Sequence, residues 1–121
     1  MIALILRLGL CLIIFWNLTA AHAAQITDSA GRTLTLPHRI NHIICSGSGC
    51  LRLVTYMQAQ DLVVGVDDME TGKRAFDARP YFLANPGFQN LPVFGGFRGR
   101  DNPEKILGLS PLPQVIFKTY A

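Results

Sequence analysis

Residues 102–117 read Asn-Pro-Glu-Lys-Ile-Leu-Gly-Leu-Ser-Pro-Leu-Pro-Gln-Val-Ile-Phe, and this stretch decides the fold. Asn102 is placed to cap a helix, because its side-chain oxygen can accept a free backbone N–H of the first turn. Pro103 falls at the first helical position, where no N–H is needed. Glu104 follows in the first turn, where the helix dipole favours negative charge. Ile106, Leu107 and Leu109 form an apolar stripe, and Ser110-Pro111 stops the helix. Val115-Ile116-Phe117 is a β-branched and aromatic run that suits a strand covered on both faces. A helix thus hands over to a buried strand.

The same alternation runs upstream. Ile40 to Cys45 reads as a strand, Ser46-Gly47-Ser48-Gly49 as a tight loop, and Cys50 to Ala59 as a helix with Leu51, Leu53, Val54 and Met57 on its apolar face. Leu62 to Val66 is a second buried strand, and Asp67 to Gly72 is polar and turn-like. Residues 75–77 and 80–84 are short helical pieces punctuated by Pro80 and Pro86. Leu91 to Phe94 is extended, and Gly95 to Asp101 is a flexible basic loop. Strands alternating with helices predict an α/β layer with parallel crossovers. Ahead of it, Ile26 to Leu36 reads as a β-hairpin turning at Asp28, Ser29 and Gly31, and Pro37 ends it.

The 102–117 stretch resembles the N-P-E-x-I-L-x-L-x-P-x-x-V-I pattern of periplasmic substrate-binding proteins of iron-chelate and cobalamin ABC importers, the iron–siderophore type. The usual acid before the strand is Gln114 here. The opening hairpin resembles that family's T-D-x-x-G-R-x-x-x-x-P start at Thr27, Asp28, Gly31, Arg32 and Pro37. The resemblance implies a parallel-sheet, three-layer N-terminal lobe of a bilobal binding protein, preceded by a hairpin. In that family a connecting helix and a second lobe follow, so a chain ending at Ala121 is expected to be a fragment or a truncation.

Residues 1–23 have the marks of a signal peptide. Arg7 is basic, Leu8 to Leu18 is an apolar run shorter than the roughly 20 residues of a membrane span, and Ala21-His22-Ala23 is a small-x-small cleavage site, with Ala24 an alternative. Cys11 follows Leu10 rather than the small residue that a lipid-anchor site would have. The 121-residue chain carries eleven Lys and Arg against eight Asp and Glu. Loss of Arg7 with the leader leaves a net +2 over residues 24–121, which is too mild, and too scattered, to argue for nucleic acid.

In an open parallel sheet, ligands bind where loops leave the carboxyl ends of the strands. The Ser46–Gly49 loop stands there. Two glycines let backbone N–H groups approach a ligand, although Arg52 occupies the place of the third glycine in a dinucleotide fingerprint. The family's first loop lines its ligand cleft, which points to Ser46, Gly47, Ser48 and Gly49. Cys45 and Cys50 bracket the loop and admit three readings: a disulfide, two buried thiols, or a metal pair. The spacing from His38 and His42 onward departs from zinc patterns, and His42 and Cys45 face opposite ways on one strand. Lys73, Arg74, Arg79 and Tyr81 after the second strand, and Phe97, Arg98 and Arg100 before the last helix, offer planar cations and aromatic surface to a bulky anionic chelate. Arg79 with Arg98 is the preferred pair. The resemblance assigns Glu104 to docking on the permease.

No nucleophile elbow surrounds Ser46 or Ser48, and no histidine follows the acids Asp67, Asp68 and Glu70. No residue pattern argues for an enzyme, and the resemblance implies a binding module. It would have no resident cofactor, a metal chelate (iron–siderophore, haem or cobalamin) as ligand, an inner-membrane ABC permease as partner, and a periplasmic location. The alternatives are a small secreted α/β redox protein using Cys45 and Cys50, and a non-functional gene fragment.

Overall fold

A computed structural model describes residues 23–72 and 77–119. Residues 1–22 of the expected leader lie outside the described residues, as do Lys73, Arg74 and most of the helical piece expected at 75–77. The chain divides into two compact units, residues 1–38 and 39–121.

In the first unit, β1 (Ala24–Thr27) pairs antiparallel with β2 (Thr33–Leu36), Ile26 opposite Leu34. Asp28 makes the turn: its Oδ1 accepts the backbone N–H groups of Ala30 and Arg32 at 2.9 Å each. The Arg32 guanidinium donates to Oδ2 at 2.7 Å.

The second unit holds a five-stranded sheet. Its strands are β3 (Ile43–Ser46), β4 (Val63–Asp67), β5 (Val93–Gly96), β6 (Arg100–Asp101) and β7 (Val115–Lys118), in the spatial order β6-β5-β4-β3-β7. The pairs β3–β4, β3–β7 and β4–β5 are parallel, and β6 is antiparallel to β5. Three short helices accompany them: α1 (Cys50–Tyr56), α2 (Pro80–Leu83) and α3 (Pro103–Leu107).

Alternation along β3 sends its side chains into two cores. Ile43 and Cys45 join Cys50, Leu51, Val54, Tyr81, Phe82 and Phe88 beneath α1 and α2. Ile44 joins Phe94 and Leu109, with Ile106 of α3 and Val64 packed alongside. The result is an α/β/α arrangement in three layers, in line with the expected fold class.

The signals in the 102–117 stretch act as local physics dictates. Asn102 Oδ1 accepts the Lys105 N–H at 2.9 Å, and Pro103 opens α3. Gln114 explains itself. Its Oε1 accepts the backbone N–H groups of Asn41 and His42 at 2.7 and 3.2 Å, and its Nε2 donates to the Arg39 carbonyl at 3.3 Å. An amide both accepts and donates here, whereas an ionised carboxylate can only accept.

Several expectations need correction. The stripe on α3 does not include Leu107, which is 74% exposed, while Leu109 beyond the helix end is 7% exposed. On α1, Leu51 and Val54 are buried but Leu53 and Met57 face solvent, because the helix is only seven residues long and one narrow side meets the sheet. The basic loop at 95–101 is instead a tight hairpin, since Gly95 and Gly96 finish β5 and Arg100 and Asp101 pair back onto them. A side chain at Gly95 would lie 2.8 Å from the Arg100 carbonyl oxygen, so the close strand approach requires glycine. The composition of β7 suits cover on both faces, but in the described sheet it is an edge strand, with Ile116 and Phe117 at 44% and 47% exposure, the exposed apolar edge expected of a terminal strand without its covering elements. Apolar composition shows what a strand tolerates, not which neighbours the described residues supply.

Phe94 is fully buried between β4 and α3, so Phe94→Ala is expected to destabilise the unit by about 3–5 kcal/mol. Leu107→Ala should change stability by less than about 0.5 kcal/mol. Urea-unfolding midpoints check both, and equal losses would contradict this packing.

Candidate functional site

A cavity of about 330 Å³ opens at the carboxyl ends of β3 and β4, lined by Gly47, Ser48, Gly49, Arg52, Asp67, Met69, Glu70, Arg79, Tyr81 and Phe97. The loop after β3 forms one side. Gly47 and Gly49 have φ of 98° and 76°, in the left-handed region where glycine carries no side-chain penalty. Cys45 and Cys50 are joined by a disulfide with Cα atoms 5.5 Å apart, which pins both ends of that loop to the core.

The segment after β4 forms the floor. Asp67 ends the strand, and its Oδ1 accepts the Met69 N–H at 3.0 Å, starting a 3-10 turn over Asp68–Glu70. Asp68 Oδ1 accepts the Phe97 N–H at 2.7 Å. That bond holds the tip of the β5–β6 hairpin, and with it the Phe97 backbone, beside the cavity.

Arg79 and Tyr81 complete the floor, held by acids. Arg79 Nη1 donates to Glu70 Oε2 at 2.5 Å, Nε donates to Asp77 Oδ1 at 2.8 Å, and Nη2 donates to Asp77 Oδ2. The guanidinium carbon lies 4.5 Å from the centre of the Phe82 ring. The Tyr81 hydroxyl donates to Glu70 Oε1 at 2.8 Å. Burial, then the hydrogen bond to Glu70, pushes the Tyr81 phenol up to about 12, so it stays neutral. Burial also raises the Glu70 carboxyl above its ordinary value, against the opposing pull of Tyr81 and Arg79. Asp67 is pushed up to about 6, chiefly by burial and next by the charge of Glu70.

The structure brings together six of the residues expected to bind ligand: Gly47, Ser48, Gly49, Arg79, Tyr81 and Phe97. Ser46 and Arg98 do not line the cavity. Ser46 is buried and its hydroxyl donates to Asp101 Oδ1, while Lys118 Nζ pairs with Asp101 Oδ2 at 2.8 Å. Arg98 is exposed at the hairpin tip with φ 66°, its guanidinium 5.6 Å from the Phe97 ring centre. Arg79 is engaged by two carboxylates, and Arg98 lies off the cavity that Arg79 lines. Lys73 and Arg74 fall outside the described residues. Sequence reasoning missed Arg52, Asp67, Met69 and Glu70 as cavity residues. The signal available was position, because acids directly after a buried parallel strand stand at the ligand edge.

Glu104 is exposed in the first turn of α3. His42 precedes β3, at the opposite end of that strand from the cavity. Among the described residues, no group of three or more His, Cys, Asp or Glu side chains is arranged to hold a metal ion.

Two changes test this geometry. Arg79→Met removes the guanidinium from two carboxylates and is expected to destabilise the unit by roughly 3 kcal/mol in urea unfolding. An unchanged midpoint would contradict the network. For Asp67, the folded state keeps a proton that the unfolded chain releases near the ordinary carboxylate value. Its contribution is therefore fullest below about pH 4 and is lost as pH rises through about 6. Asp67→Asn is expected to be more stable than the parent at pH 7.5, on the order of 1–2 kcal/mol, with the gap closing at pH 4. A Tm difference independent of pH would refute the assignment.

No known family profile matches the chain, and no curated protein matches it. Among solved structures, it is similar to the one titled "Crystal structure of heme binding protein HmuT", at 18% sequence identity and a TM-score of 0.54. The match covers 84% of this chain and 28% of that one, so the chain spans little more than a quarter of its neighbour's length. The three-layer arrangement of strands and helices described above is a fold that this chain shares with part of a haem-binding protein.

Proposed function

We propose that the chain forms one wall of the solute-binding component of an ABC importer, exported to the periplasm, where it captures an iron chelate or related metal complex. Haem is one such complex, since the structural neighbour is a haem-binding protein. The observation that carries this reading is the cavity at the carboxyl rim of a parallel sheet, edged by the disulfide-pinned glycine loop and by Phe97. A backbone surface beside aromatic groups suits a large flat or globular complex better than a small metabolite.

The chemistry is grip and release, with no catalysis. The described rim has no histidine, and the serine at the end of β3 is engaged by Asp101. The redox alternative lacks support, because both sulfur-bearing residues are buried in the core, whereas catalytic thiol pairs stand partly exposed. Glu104, open to solvent on α3, is the proposed contact to the permease. A ligand gripped between two lobes has its affinity divided between them, so this wall by itself binds weakly.

Titration of the full chain with hemin and with ferric hydroxamate chelates, followed by absorbance shifts, tests the reading. Saturable binding with Kd above roughly 1 μM is expected. Absence of binding to every chelate would overturn it, and turnover in a thiol–disulfide exchange assay would favour the redox alternative.

A further inference from the structure

Resting on the binding reading above, we propose that Asp67 is the residue by which this wall selects among ligands, and that it takes a hydrogen-bond donor on the periphery of the chelate, an ammonium group above all. The arginines of the sequence point to an anion at this place. The geometry points the other way.

Arg79 gives its Nε and Nη2 edge to Asp77 and its Nη1 to Glu70, while its flat face covers Phe82. Its fork is used internally and does not reach for a ligand carboxylate. Glu70 accepts on both oxygens, from Arg79 and from Tyr81. Tyr81 spends its proton on Glu70. These polar groups on the floor satisfy one another.

Asp67 differs. It is 5% exposed, yet it lines the cavity, and its hydrogen bond from the Met69 N–H falls on Oδ1. Among the described residues no cation pairs with it. A carboxylate at the end of a strand, withdrawn from water and facing a cavity, is an acceptor waiting for a donor. Glu70 and then Asp68 raise its proton affinity, and the charge of Arg79 opposes them only in part, so negative charge at Asp67 is incompletely offset. A ligand that turned a carboxylate to this floor would meet like charge in a poorly hydrated site. Among the described residues lining the cavity, the cation left for an anionic group is Arg52, which lies beside Gly49 with its Nη2 3.5 Å from the position a Cβ there would take. The wall is therefore polarised, with an acceptor at the floor and a donor beside the glycine loop.

A matched pair of probes reads this directly: ferrioxamine B, a ferric trihydroxamate with a free ammonium, and its N-acetylated form, which has none. At neutral pH and low salt, the full chain should bind the ammonium form at least ~10-fold more tightly. Asp67→Asn retains the oxygen that caps Met69 and should bring that ratio to about one. Equal binding of the two probes by the parent chain overturns the proposal without recourse to any variant, and so does a ratio that persists in Asp67→Asn. If hemin binds and neither hydroxamate does, the binding function stands and the role of Asp67 falls. If no probe binds, hemin included, both fall.

Discussion

All four side chains of β3 are buried, and the strand is paired in parallel on both edges, to β4 and to β7. The rest of the unit follows from that constraint. Parallel neighbours need crossover connections, and a strand buried on both faces needs cover on both. Helices α1 and α2 cover one face, where Ile43 and Cys45 point, and α3 with Leu109 covers the other, where Ile44 points. Because β3, β4, β5 and β7 run the same way, their carboxyl ends gather at one rim. Polar groups at that rim have to be satisfied by one another or by a ligand. Ser46 finds Asp101, which also pairs with Lys118 and so ties β3, β6 and β7 together.

The neighbouring part of the rim obeys a different balance. Among the described residues acids outnumber the bases that reach them, and burial raises the proton affinity of Asp67 and Glu70. Glu70 is compensated by Arg79 and Tyr81. Asp67 accepts one backbone N–H, and the charge of Arg79 offsets its acidic neighbours only in part. An ionised carboxyl kept in such a place works against stability, and binding sites are where folds carry that kind of strain. The disulfide and the Asp68–Phe97 bond act in the opposite sense, since they restrain the loops on either side of the cavity.

Much of the fold was legible because its signals are local. The Asn102 cap, Pro103, the glycine loop and the apolar runs of β3 and β4 each act within a few residues of themselves. The errors share one origin. Leu107, Leu53 and Met57 have the right chemistry for a core, but facing the core depends on where a short helix comes to rest against the sheet. The Gly95–Asp101 stretch looked like a loose basic loop because pairing between Gly95 and Asp101 leaves no periodic pattern in so short a segment. At the site, position along the strands placed Gly47, Ser48 and Gly49 beside the cavity but also suggested Ser46, which turns to Asp101, and charge alone did not reveal that Arg79 is engaged by Asp77 and Glu70.

By itself the sequence determined an alternation of short apolar strands and capped helices, a loop of glycines after the first central strand, and a pair of cysteines around it. These are properties of backbone conformation and hydrophobic period, which neighbours in the chain are sufficient to specify. Only the tertiary structure decided that Arg79 is consumed by Asp77 and Glu70, that Ser46 belongs to Asp101, and that Asp67 is left facing the cavity. Electrostatic partnership depends on distance and on exclusion of water, and packing sets both quantities between residues as far apart in the chain as Ser46 and Asp101.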